Sequence, residues 1–189
     1  MKRRLPALLA ALSILILFPS CIVRSIHPWF RANQAAFHND LLGGWIGVNE
    51  GSRLAMTFTR NGDNGYIVQY SNDDGHGIFD AHLARVGAHY YLDFTPAGKS
   101  GDNVESLLLL PTHSVAKLEF DRDNLKVFLL NYDALKAAAR RHQLIYARTE
   151  QVEEDEVLVV SSSDELQAFL IANATNSELF REAFRLKRR

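Results

Sequence analysis

From Trp45 to Phe94 the chain alternates apolar and polar residues with a period of two, cut at short intervals by turn residues. Leu54, Met56 and Phe58 fall on one side, and Arg53, Thr57 and Thr59 on the other. After Asn61-Gly62-Asp63-Asn64-Gly65 the alternation resumes with Tyr66, Val68 and Tyr70. After Ser71-Asn72-Asp73-Asp74-Gly75 it resumes with Phe79, Ala81 and Leu83, and after Gly87 with Tyr90, Leu92 and Phe94. Successive strand side chains point to opposite faces, so this pattern predicts an antiparallel meander with one face buried. A long meander leaves two open edges unless it closes on itself. The expected fold is therefore α+β and mainly β, an antiparallel meander closing into a small barrel or curled half-barrel, with helices at the C-terminal end.

Beyond Phe94 the reading continues. Pro96 to Asn103 is expected as a loop and the apolar run Leu107 to Leu110 as a doubly buried strand. Ala116, Leu118 and Phe120 form another strand, Asp121-Arg122-Asp123-Asn124 a turn, and Leu125, Val127 and Leu129 a further strand, about seven before residue 131. Tyr132 to His142 reads as a helix capped by Asn131, with Leu135 and Ala138-Ala139 inward. Leu144 to Arg148 and Val157 to Val160 read as strands. Ser162 and Glu165 are spaced as a capping box, which starts a helix with Leu166, Phe169 and Leu170 on one face. A second C-terminal helix is expected from about Ser177, carrying Leu179, Phe180 and Phe184. The basic run Arg185 to Arg189 would sit at its C-terminus.

The first residues carry a different signal. Met1-Lys2-Arg3-Arg4 is basic, Leu5 to Phe18 is apolar apart from Pro6 and Ser13, and Ser20 precedes the chain's single cysteine, Cys21. A basic start, an apolar run too short to span a bilayer and a small residue before a cleavage point make a secretory leader. Leu17-Phe18-Pro19-Ser20-Cys21 resembles the lipobox of bacterial lipoproteins. Ser20 and Cys21 match it, while Phe18 and Pro19 stand where the family usually has leucine and a small residue. The resemblance implies diacylglyceryl transfer to the Cys21 thiol, cleavage before it, and a protein tethered in the cell envelope. An aspartate after the cysteine often retains lipoproteins at the inner membrane. Ile22 stands there instead, which points to the outer membrane, facing the periplasm, in a cell that has two. The expected organisation is a leader at 1–20, a lipidated N-terminus and tether at 21–37, a β-rich barrel-like domain at 38–150, and a C-terminal strand with two helices packed on the barrel at 151–189. Ile26, Trp29 and Phe30 in the tether either pack on the domain or lie in the membrane interface.

Of 21 basic residues, three are in the leader, which leaves 18 against 22 acidic ones. A chain of that balance has no electrostatic footprint for nucleic acid. With Cys21 lipidated no thiol remains for a disulfide or a thiolate metal site.

Phe37-His38-Asn39-Asp40-Leu41-Leu42-Gly43-Gly44-Trp45 resembles the entry to lipocalin-type barrels, where a short helical turn precedes Gly-x-Trp on the first strand. Gly43 and Trp45 hold those two places. The resemblance implies a barrel whose closed end is plugged by Trp45.

Few residues invite chemistry. His76, His82 and His89 lie on neighbouring predicted strands, and Asp80 and Asp93 share the polar face with His82 and His89, but no spacing matches a metal-ligand pattern. Asp121 to Asn124 opens like a calcium loop but lacks its later glycine and glutamate, so turn chemistry accounts for it. Neither a phosphate-binding glycine loop nor a Gly-x-Ser-x-Gly elbow occurs. Glu153 to Glu156 reads as a solvated linker. No catalytic residue, metal ligand or cofactor is assigned. Trp45, Tyr66, Tyr70, Tyr90 and Phe94 share the inward face, where they either line a ligand cavity or fill a core, the second being usual in small barrels. The expected function is a non-catalytic binding or accessory lipoprotein. It would be held on the membrane by its N-terminal lipid and would engage a small apolar ligand or an envelope protein. The alternative is an envelope hydrolase or metal-dependent enzyme.

Overall fold

The computed structural model describes residues 23–49, 51–97, 111–141, 144–148 and 157–189. The segment expected to be a leader (with Cys21), residues 98–103, the run Leu107–Leu110 and the acidic run Glu153–Glu156 lie outside the described residues.

Seven described strands follow one another as the alternation predicts: β3 (Gly43–Asn49), β4 (Ser52–Asn61), β5 (Gly65–Asn72), β6 (His76–Val86), β7 (His89–Pro96), β8 (Ser114–Phe120) and β9 (Asn124–Leu130). Each pairs antiparallel with the next. An eighth, β12 (Phe180–Arg188), lies between β9 and β3 and closes the sheet into an eight-stranded antiparallel barrel. Turn chemistry behaves as read. Asn72 Oδ1 accepts the N–H groups of Asp74 (3.1 Å) and Gly75 (2.8 Å). Asp121 Oδ1 accepts those of Asp123 (2.7 Å) and Asn124 (2.8 Å), which holds its carboxyl below the usual carboxylate range.

Closure depends on a residue without a side chain. Gly47 on β3 pairs with Leu186 on β12 and Leu54 on β4. A Cβ at Gly47 would lie 2.5 Å from the Arg185 carbonyl oxygen and 2.7 Å from Leu186 Cδ2. Only glycine lets β12 come close enough to complete its hydrogen bonds to β3.

β12 is the main departure from expectation. The segment from Ser177 is not a second helix: Ser177 to Leu179 turn, and Phe180 to Arg188 is a strand of the barrel. The 151–189 region therefore supplies one wall of the barrel and does not merely pack on it. The i, i+4 spacing of Phe180 and Phe184 suggested a helix, but a register shift between Glu182 and Phe184 produces it. Such a bulge inverts the parity of side-chain direction. Phe180 thus joins the core outside the wall, and Phe184 packs against the core inside it.

Those two cores organise everything else. The inner one fills the barrel around Trp45, Phe58, Tyr66, Leu83 and Leu125. The outer one lies on the far side of β6 to β9, on Ala84, Val86, Tyr91, Val115 and Leu130. It is covered by the N-terminal segment, α1 (Tyr132–Arg140) and α2 (Ser163–Ala172). The helices thus cover the side of the barrel. Both start as read. Asn131 Oδ1 accepts the Asp133 N–H (3.1 Å), and Ser162 and Glu165 make the reciprocal capping box. A small sheet of β1 (Arg24–Ser25), β10 (Tyr146–Arg148) and β11 (Val157–Val159) belongs to this outer layer, and β2 (Ala35–Ala36) adds to the edge of β6.

Gly47→Val is expected to destabilise the fold by about 1–3 kcal/mol through overpacking at the β3–β12 seam. A denaturant midpoint unchanged from that of the parent protein would remove the seam from this account.

Candidate ligand cavity and the segment strapped across its wall

One end of the barrel is sealed. The 3-10 turn Asn39–Leu41 leads into Gly43, whose φ of +107° suits glycine, and then into Trp45, which is fully buried. The short turn before the first strand and the tryptophan at the closed end are what the lipocalin resemblance implied. Trp45 Nε1 donates to the Leu41 carbonyl (2.9 Å). The Arg188 guanidinium lies 4.2 Å from the Trp45 ring centroid. It donates to the carbonyls of Leu42 (2.8 Å), Asp40 and Arg122. One side chain thereby ties the entry turn, the β8–β9 turn and β12 together, and stacks on an aromatic face as arginine favours. Beside it Phe37 stacks on Tyr66 at 4.8 Å, and the Tyr66 hydroxyl accepts the His38 N–H (2.7 Å) and donates to the His38 carbonyl (3.2 Å). His38, Tyr90 and Phe120 complete the seal with ring contacts of 5.0 to 6.0 Å.

Above this seal the interior is not filled. A cavity of about 220 Å³ remains, lined by side chains of β4 to β9 and β12, among them Met56, Val68, Ala116 and Leu129. Tyr70 and Phe94 line it, as does Phe184. Trp45, Tyr66 and Tyr90 do not; they form the sealed end below. Among the described residues of the lining, Tyr70 carries the only polar side-chain atom. Its phenol pKa is raised by burial and then by the Asp74 charge, so the group is neutral at ordinary pH. A cavity walled this way discriminates by size and apolarity. It exceeds the roughly 150 Å³ apolar cavity known to hold benzene and falls short of the 300 Å³ or so at which drug-sized sites begin.

Outside the wall the structure holds a polar network that sequence reasoning missed. Asp93, placed by the alternation on the polar face, is only 5% exposed. Its Oδ2 accepts the Trp29 backbone N–H (2.7 Å), and its Oδ1 lies 2.8 Å from His113 Nδ1. Ser25 exchanges two backbone hydrogen bonds with His113 (2.8 and 2.9 Å). The tether from Val23 to Phe30 is thus strapped across β7 and β8, with Trp29 fully buried and Phe30 nearly so. Packing, not membrane contact, is where Trp29 and Phe30 are used. Nothing local in the sequence marks His113 or separates Asp93 from an ordinary solvated strand residue. The nearest signal was an apolar tether that needed a surface to cover. Trp29 Nε1 and Tyr91 Oη are buried there without a hydrogen-bond partner among the described residues, and burial pushes the Tyr91 phenol up to about 12.

The three strand histidines do not converge. His76 and His82 sit six residues apart on β6, about 20 Å at strand rise. His89 starts β7 opposite Val86, while His82 pairs with Asp93. A shallow pocket beside the strap brings His82, His113, Asp80 and Asp93 to its rim. Among the described residues no three histidine, cysteine or acidic side chains group as metal ligands. No described helix is long and apolar enough to cross a membrane. Comparison with protein-family models, curated proteins and solved structures finds no match to this chain.

Asp93→Ala leaves the buried Trp29 N–H without its acceptor, and a cost of about 1–3 kcal/mol is expected. Cleavage by a nonspecific protease should then move to residues 23–36 while the barrel stays intact. Unchanged protection of that segment would show that the apolar contacts of Trp29 and Phe30 suffice to hold it.

Proposed function

We propose that this chain is a lipid-anchored envelope protein that binds a compact apolar molecule, or the end of an acyl chain, inside its barrel, without itself performing chemistry. The observation that carries the reading is the 220 Å³ cavity, apolar in every lining side chain except for the Tyr70 hydroxyl, standing above a sealed barrel end. Burial of apolar ligand surface is then the main driving force, at roughly 25 cal/mol per Å². Affinity would follow how well a ligand fills the space. The lipid anchor rests on the leader and on Ser20-Cys21. At least two acyl chains are needed for durable membrane residence. The envelope setting supplies apolar ligands in quantity. An envelope protein is the other partner the reading allows.

Two experiments test the two halves. Cys21→Ser is expected to abolish lipid labelling of the protein and leave it unprocessed or soluble; a mutant that still fractionates with membranes at mature size would exclude the anchor. Ala116→Phe should fill the cavity. Native mass spectrometry of the parent protein is expected to show a co-purified apolar mass that the variant lacks, at a comparable denaturation midpoint. A clean unliganded mass for the parent, together with no response to added benzene or octane, would sink the binding reading.

A further inference from the structure

The outer wall of the barrel is covered unevenly. The far side of β6 to β9 is under the strap and helices, but among the described residues nothing covers the far side of β4, β3 and the end of β12. Bare sheet faces are usually polar. Here two aliphatic side chains stand in the open, Ile46 at 46% and Val48 at 68% exposure. Cations flank them. Lys187 is the register partner of Ile46 on β12, and Arg53 is that of Val48 on β4. Arg185 and Arg189 extend the cationic side along β12, and all six side chains line one groove of about 780 Å³. Arg185 already shares its fork with Glu182 (2.8 and 2.9 Å), and Asp73 at the groove edge accepts the Arg53 backbone N–H (3.1 Å). Among the described residues the side chains of Arg53, Lys187 and Arg189 make no ion pair. The chain as a whole carries a net charge of −1, so a cationic face is a local arrangement and not a reflection of composition.

We propose that this groove binds an amphiphile with an anionic headgroup and a short apolar chain, the headgroup against Lys187 and Arg189 and the chain along Ile46 and Val48 towards Arg53. Charge complementarity selects an anion, and the aliphatic pair between the cations selects an apolar extension of it. The cations and the aliphatic pair lie within one solvent-open groove, so the occupant is taken as a single amphiphile. The site is separate from the barrel interior, because Ile46 and Val48 point outward while Gly47 between them faces inward. It therefore does not depend on the function proposed above.

The test uses the full chain in nanodiscs of zwitterionic lipid, with isoleucine and valine methyl groups labelled for NMR, titrated with hexyl phosphate, hexan-1-ol or inorganic phosphate. Hexyl phosphate is expected to shift the Ile46 and Val48 methyls saturably, with a midpoint that does not follow any shift of the interior Val68 and Val127 methyls, which report the cavity separately. Lys187→Glu should weaken that binding about tenfold, the scale of one charged hydrogen bond. The proposal is overturned by no shift at Ile46 and Val48, or by a shift at the interior methyls instead. Equal binding of hexan-1-ol would reduce the groove to a greasy patch, and equal binding of inorganic phosphate would reduce it to an anion site. A response only to nanodiscs made anionic would assign the face to a bilayer surface and also overturn it.

Discussion

Insertion of β12 between β9 and β3 is the constraint on which the rest of this structure depends. Without it the seven-stranded meander ends in two open edges, and the inner core lacks a wall. Three local features make the insertion possible. Gly47 clears the approach on β3, the bulge after Glu182 lets one strand feed two cores, and Arg188 ties the strand end to the entry turn through Trp45. The closing strand is the last element of the chain, some fifty residues after β9. The contact is therefore non-local and comes with a large loop-closure entropy. The α1, α2 and outer-sheet elements between β9 and β12 recover part of that cost by packing on the outer wall.

A barrel wall used on both faces accounts for much of the unusual chemistry. Where a strand faces solvent on its outside, alternation yields polar residues there. Where the strap and helices cover it, the outward positions become Ala84, Val86, Tyr91 and Val115. A carboxylate in that covered zone needs partners, and Asp93 finds them in the Trp29 N–H and His113. The same logic leaves β3 and β4 bare on the other side, with their aliphatics and cations exposed.

Inside, the division between seal and cavity follows from side-chain size. Phe37 stacked on Tyr66 and Tyr90 against Phe120 crowd the sealed end, with Trp45 there under the Arg188 guanidinium. Above them Ala116 sits among Val68, Val127 and Leu129, and these smaller groups do not fill the barrel's width. An eight-stranded barrel is close to the limit at which side chains just fill the interior, so a few small residues suffice to leave space.

Strand existence, turn positions, both helix caps and the burial of Trp45 were legible in the sequence because each rests on local chemistry: period-two alternation, side-chain hydrogen bonds to the next few amides, and the shape of a tryptophan-bearing first strand. The final strand was misread because its bulge and its two-core role impose a spacing that imitates a helix. Trp45, Tyr66, Tyr70, Tyr90 and Phe94 all belong to or pack against the inner core, but which of them plug and which line a cavity depends on their height along the barrel axis, and that is set by strand stagger. Asp93 and His113 could not be joined from sequence, since twenty residues and a strand reversal separate them. What the sequence by itself determined is a mainly antiparallel β chain with an apolar inner face. Tertiary structure alone decided that the sheet closes, through which strand, what covers its outer wall, and where space is left. Those outcomes are sums over contacts between distant segments, and no local pattern encodes them.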